Sequence, residues 1–153
     1  MPTPEERLKE LGIDLPQPVP PVAAYIPCVR SGNLVFVSGQ VPSVAGELPW
    51  KGRLGAEVSF VDGVAAARQC AVNILAALKA ELGELSRVRR VVRVGGFVAS
   101  TPEFTDQPRV VNGASELFGE VFGEAGKHAR AAVGVAALPL GVPVEVEALV
   151  EVE

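Results

Sequence analysis

The sequence predicts an α+β domain: behind a short leading helix come two strands, a helix, a strand, a second helix and two further strands. Two helical stripes and the short apolar runs around them carry the prediction. Val64, Ala67, Ala71, Ile74, Leu75, Leu78 and Leu82 recur at helical spacing, as do Val110, Val111, Ala114, Leu117, Phe118 and Val121. The remaining apolar runs are short and punctuated by Gly and Pro, as strands are. Two helices cannot cover both sides of such a sheet, so the helices are expected on one face and other subunits on the other.

Bulk composition narrows the function classes. The 153 residues make one domain of ordinary size, 48% hydrophobic, with a net charge of −4. The fourteen basic residues are mostly interleaved with apolar ones, apart from a cluster at Arg87, Arg89, Arg90 and Arg93. That balance argues against a large nucleic-acid footprint, so a nucleic-acid partner is not expected. Cys28 and Cys70 form no CxxC pair and read as two buried thiols, and with a lone His128 they match no standard zinc spacing. The start, MPTPEERLKE, lacks the apolar segment of a signal peptide, and no run approaches the roughly 18 uninterrupted apolar residues of a membrane span. A cytoplasmic location with no membrane partner is the expectation.

The elements follow in order. Thr3-Pro4-Glu5-Glu6 opens the short helix, with Thr able to cap, Pro suited to the first turn and acids at the positive end; Gly12 closes it. Pro16 to Pro21 reads as an extended connector, so residues 1–24 form a leading segment ahead of a domain over 25–153. Ala24 to Val29 and Leu34 to Ser38 read as a hairpin around a turn at 30–33. Residues 42–55, with glycines at 46, 52 and 55, read as a long loop that could edge a cleft. Ser59 caps the long helix, with Asp62 in the place of a capping-box acid, and Gly83 ends it. Val88 to Ala99 is a strand whose Gly95-Gly96 pair marks a bulge or a crowded contact. The second helix spans Gln107 to Phe122, started by Thr105 or Asp106 and stopped by Gly123 and Gly126. Ala131 to Ala137 and Val142 to Val150 are the last strands, joined by a turn at 138–141.

One arginine and two carboxylates fall inside stretches that otherwise look like interior strands: Arg130, Glu145 and Glu147. Charges there must pair, reach solvent or line a pocket where a ligand satisfies them, and an anion-binding pocket is the favoured reading. Glu145 and Glu147 are two apart and so share a side of their strand.

The stretches Ser31-Gly32-Asn33, Val37-Ser38-Gly39-Gln40-Val41-Pro42, Val111-Asn112, Arg130, Leu138-Pro139 and Val144-Glu145-Val146-Glu147 stand in an order and spacing that resembles the family named for reactive intermediate deaminase. It is also called the YjgF family and is often labelled endoribonuclease L-PSP. The resemblance covers Tyr25 to Val150, and the proline-rich start and the Phe122-Gly123-Glu124-Ala125-Gly126 segment look like a less characterised branch. It implies a chorismate-mutase-like mixed sheet with two main helices on one face, a homotrimer whose sheets form a central barrel, and a pocket in each intersubunit cleft. It further implies hydrolysis of reactive 2-enamine or 2-imino acids to 2-keto acids and ammonia, without metal or organic cofactor.

Carried onto this chain, the resemblance makes Arg130 the group that binds the substrate carboxylate, its planar fork suited to two parallel hydrogen bonds. Glu145, expected in a neighbouring strand, is the candidate to orient or partly deprotonate the attacking water. Tyr25 matches a tyrosine that closes the pocket, Ser38 and Gly39 a pocket-lining turn, and Asn112 an amide from the second helix. Ala132 stands where many active relatives carry a cysteine, which removes a thiol and leaves the backbone. Other roles stay open: a salt bridge for Arg130, an ordinary edge-strand position for Tyr25, a cap or interface bond for Asn112, and for His128 either proton transfer or a surface hydrogen bond. The alternative function is a non-catalytic trimer that binds a small carboxylate metabolite in the same cleft. A ribonuclease lacks support in the acidic balance and in the absence of a histidine pair, and a chorismate mutase would call for more than one pocket cation.

Overall fold

A computed structural model describes residues 1–18 and 23–153 of the chain. The connector expected over Pro16 to Pro21 lies partly outside the described residues. The elements are α1 (Pro4–Glu10), β1 (Cys28–Ser31), β2 (Leu34–Gln40), α2 (Phe60–Leu82), β3 (Val88–Ala99), α3 (Gln107–Phe122), β4 (Ala129–Val135) and β5 (Val144–Val152). Thr3 caps α1 through a full capping box with Glu6, and the Ser59 hydroxyl accepts the Asp62 N–H at 3.1 Å to start α2. Gly83, at φ 83°, ends α2.

The sheet runs in the order β1-β2-β5-β3-β4, antiparallel except for the parallel β3–β4 pair. Both long helices pack on one side of it. Along β5 the side chains alternate buried and half-buried without a break, Val144, Val146, Ala148, Val150 and Val152 facing the helices. The core between the layers is filled by Val35, Val94, Val98, Ile74, Leu75, Leu78, Leu117 and Phe118. Taken alone, α2 is long and apolar enough to cross a membrane, but 67% of that stretch is buried inside this domain. Apolar face and packed face coincide. At the N-terminal end, Glu5 accepts from the Leu85 N–H at 2.8 Å and the Lys79 ammonium at 2.9 Å, which docks α1 against the end of α2.

Several sequence expectations change here. The sheet is not closed into a barrel: among the described residues β1 and β4 are its edges with no pairing between them, and the structure is a single chain with no trimer in it. The expected strand Ala24 to Val29 begins only at Cys28, because Pro27 has no N–H to give to the ladder, and the hairpin turns through Gly32 and Asn33 alone. The strand expected from Ala131 starts at Ala129 and the one expected from Val142 starts at Val144. Those two strands are not neighbours, since β3 lies between them. The 42–55 segment has no helix or strand of its own, yet Leu54 is fully buried and its backbone bonds to Ala99 and Thr101 tie it to the end of β3.

The Gly95-Gly96 pair is a crowded contact on both faces, with the register shifts of β3 falling elsewhere, between Val88 and Arg93. A Cβ at Gly96 would overlap the Val111 side chain of α3. Gly96→Ala should therefore destabilise the fold by roughly 1–3 kcal/mol. Chemical denaturation of Gly96→Ala, Val111→Ala and the double variant checks this. The double variant should lose less than the sum of the singles, because removing the valine methyls makes room for the new one.

Candidate functional site

β4 and β5 flank β3, and their registers decide which way each charged residue faces. Arg130 stands opposite Val94, and so does Ala148 from the other side; Val94 and Ala148 are buried, so Arg130 leaves the sheet on the helix side. Glu145 stands opposite Phe97, in phase with Val133, and leaves on the open side. The two residues paired in the sequence reading thus project from opposite faces of one chain's sheet.

On the helix side, Arg130 lies across α3. Its Nη1 donates to Asn112 Oδ1 at 2.8 Å and to Ser115 Oγ at 3.1 Å, and its Nη2 donates to the Pro108 carbonyl at 3.2 Å. These three α3 residues are spaced to share one helix face. Among the described residues Arg130 has no carboxylate partner, whereas Arg68, Lys79, Arg90, Arg93, Arg109 and Lys127 are all ion-paired. Ser115 Oγ also lies 2.8 Å from His128 Nε2, and His128 Nδ1 lies 2.7 Å from the Gly126 carbonyl. A shallow cleft of about 370 Å³ opens beside this group, lined by Ser115, Glu116, Lys127, His128 and Arg130 among others. Ala132, two residues beyond Arg130 and on the same face, packs half-buried against the core opposite Gly96.

On the open side, Gly39 and Glu145 meet: a Cβ at Gly39 would overlap Glu145 Oε2, so only glycine leaves the carboxylate its present place. Burial first, and the neighbouring charge of Glu147 second, push the Glu145 carboxyl above its ordinary value. Glu147 itself is half-exposed and 3.5 Å from Arg93 Nη1. Ser38 sits beside Gly39, but its hydroxyl is engaged, donating to the Ile26 carbonyl at 2.7 Å. Tyr25, two residues ahead of Pro27, is 51% exposed.

The predicted residues therefore fall into two groups. Arg130, Asn112 and Ala132 belong to the helix side; Ser38, Gly39 and Glu145 belong to the open side, with Tyr25 exposed near the start of β1. The sequence reading gave no site role to Pro108 or Ser115, and it saw Arg93 only as part of a basic cluster. The signal available for the first two was their helical spacing from Asn112, four residues before it and three after.

An open five-stranded sheet with two helices on one face, an anchored arginine at its edge strand and neighbouring acids on its bare face define a small α+β domain. The chain belongs to the family described as "YjgF/chorismate_mutase-like, putative endoribonuclease", whose model matches residues 5–152. It is 50% identical over 147 residues to protein TCP17 of Trypanosoma cruzi, covering 94% of this chain and 91% of that one. It is 32% identical over 143 residues to a 2-iminobutanoate/2-iminopropanoate deaminase of Dermatophagoides farinae, covering 90% and 91%. Among solved structures, Atu1372 of Agrobacterium tumefaciens superposes with a TM-score of 0.92 at 51% identity, covering 98% of this chain and 92% of that one. A protein of Shewanella oneidensis described as a "putative endoribonuclease" superposes at 0.96 with 35% identity, covering 99% and 100%. The chain is thus a member of a family linked by its relatives to small-molecule deamination. The same descriptions correct one expectation: the family and its Shewanella member are named for RNA cleavage, so the acidic net charge does not dismiss a nucleic-acid partner. Net charge is a property of the whole surface and does not by itself decide what a local region can bind.

The raised Glu145 pKa makes a testable statement about pH. A carboxyl raised in the folded state lends stability below its unfolded pKa and loses it as pH rises through the folded value. Glu145→Gln, which stays neutral, should melt a few degrees above the wild type near pH 7, and the gap should close near pH 4. Thermal melts across that range read the difference directly.

Proposed function

We propose that this chain hydrolyses 2-imino acids, with Arg130 anchoring the substrate carboxylate. The observation that carries the reading is the state of the Arg130 guanidinium. Three α3 oxygens hold it, no carboxylate neutralises it among the described residues, and Nε–H and one Nη2–H are left over. Two such donors on one edge make the fork that grips a carboxylate side-on. Arg130 lines an open cleft beside an edge strand, so a small acid can approach it. The deaminase relative from Dermatophagoides farinae supports the same substrate class.

Once the carboxylate is fixed, the adjacent imine carbon is fixed too. Water adds to that carbon, the C=N pair goes to nitrogen with a proton, and collapse of the carbinolamine expels ammonia and leaves the 2-keto acid. Glu145, whose carboxyl is raised above its ordinary value, is suited to orient that water or pass its proton, and because it leaves the opposite face from Arg130 it would reach the imine carbon only from a second copy of the chain. A second reading has its own support: within one chain Glu145 and Arg130 leave opposite faces, and an Arg130 fork without an acid-base group beside it would bind a small carboxylate without turning it over.

Keto-acid and ammonia release from imino acids generated in situ by an amino-acid oxidase tests both. Arg130→Ala should slow the reaction about 10- to 100-fold, and Arg130→Lys should recover little of it, because the charge returns without the fork. A wild-type rate no faster than uncatalysed hydrolysis across several imino acids, with retained binding of pyruvate, would favour the binding protein. Cleavage of single-stranded RNA, assayed beside them, decides whether the family's endoribonuclease description applies to this chain.

A further inference from the structure

We propose that Ser115 and His128 are positioning residues that set the plane of the Arg130 guanidinium, and so aim its free edge; the proposal rests on the carboxylate-anchoring role argued above. The hydrogen-bond directions follow from chemistry. The Gly126 carbonyl can only accept, so His128 Nδ1, at 2.7 Å, carries the proton of the neutral ring. Nε2 is then an acceptor, and the Ser115 hydroxyl at 2.8 Å donates to it. With its hydrogen committed, Ser115 Oγ turns lone pairs outward and takes the Nη1–H of Arg130 at 3.1 Å. Phe118 meets the imidazole edge-on, with ring centroids 6.0 Å apart and an 88° angle between planes, which limits rotation of the ring.

The result is a chain of defined direction, from Arg130 to Ser115 to His128 to the Gly126 carbonyl. Its effect on Arg130 is geometric. A planar guanidinium held at Pro108, Asn112 and Ser115 is fixed at three points along α3, and a plane needs three points. Both Nη1 hydrogens and one Nη2 hydrogen are used, which leaves Nε–H and the second Nη2–H for a ligand. Remove Ser115 and the group keeps two anchors at neighbouring positions, about which it can pivot. The free fork then loses its fixed aim, and a ligand must supply the ordering.

A serine 2.8 Å from a histidine nitrogen invites comparison with a nucleophile and its base. The surroundings decide against it. Ser115 lies within α3, where the backbone N–H groups are taken up by the helix and none is free to stabilise an oxyanion. Its oxygen is already the acceptor for Arg130. The pair is therefore turned toward the arginine.

The test uses the full chain and pyruvate as the probe, with wild type, Ser115→Ala, Ser115→Thr, His128→Ala and Ser115→Ala/His128→Ala compared by calorimetric titration. Ser115→Ala and His128→Ala should each weaken pyruvate binding roughly five- to tenfold. The double variant should be no weaker than the worse single, since both break one chain, and Ser115→Thr, which keeps the hydroxyl, should hold close to wild type. The second readout needs no ligand. Two separate Arg130 Nη signals in nitrogen-15 NMR of the wild type should merge in Ser115→Ala as the guanidinium begins to turn, with thermal melting confirming that the variant is folded. Unchanged pyruvate affinity in Ser115→Ala, or persistence of the separate Nη signals, overturns the proposal. A wild type that ignores pyruvate would overturn the carboxylate-anchoring role instead, and the NMR result would then decide the positioning role on its own.

Discussion

The alternation along β5 constrains nearly everything else in the domain. Val144, Val146, Ala148, Val150 and Val152 are all buried under the helices, and a strand period of two then forces Glu145, Glu147, Leu149 and Glu151 onto the bare face. Slipping the strand by one residue would bring three carboxylates into the core at once, a cost no packing gain could offset. β5 is held between β2 and β3, so its phase also sets theirs. The acids on the open face thus have their positions dictated by the valines between them, and their chemistry follows from what crowds them there. Gly39 closes over Glu145, Glu147 sits beside it, and the result is a carboxyl raised above its ordinary value.

How legible this was in the sequence differs from strand to strand, for physical reasons. β5 announced its faces because every second residue is apolar. β4 did not: Ala129-Arg130-Ala131-Ala132-Val133-Gly134-Val135 carries small apolar residues on both sides, so periodicity gives no phase for Arg130. The same lack of contrast hid the topology. A short turn at 138–141 made β4 and β5 look like neighbouring strands, whereas β3 comes between them and pairs with β4 in parallel, a non-local contact that local pattern does not encode. The helices were the easier part. The stripe of α3 from Val110 to Val121 is buried as the spacing required, and Ser59 and Gly83 bound α2 where their capping chemistry placed them.

Among the site residues, sequence spacing could relate Arg130 to the helix but not to its partners. Asn112 was in view as a helix amide; its meeting with Arg130 depends on β4 running back beside β3 with its arginine toward α3. Ser115 and His128 acquire roles only through that meeting. Ser115 carries no signal that separates it from ordinary surface polarity, and His128 was in view only as a proton carrier or a surface hydrogen bond. The central barrel, by contrast, was expected only from the family resemblance, and the surplus of apolar surface that pointed to other subunits does not specify which edges meet. The two edges of this sheet, β1 and β4, remain apart in the chain.

The glycine pair in β3 connects the two faces. Gly96 has no Cβ to hold Val111 away, so α3 sits low on the sheet, and Gly113, where a Cβ would run into the Val64 carbonyl of α2, lets the two helices close on each other. That low seat is what brings Asn112 and Ser115, on the next turn of the same helix, within hydrogen-bond reach of an arginine rooted in β4. One residue earlier and on the opposite face, Gly95 leaves room for the side chain of Glu147 as it reaches toward Arg93. Two adjacent positions without side chains thus set the depth of the helix on one side and the packing of the acids on the other. Neither touches the proposed ligand, yet the spacing of α3 from β4 makes the three-point hold on Arg130 possible, and that spacing begins at Gly96.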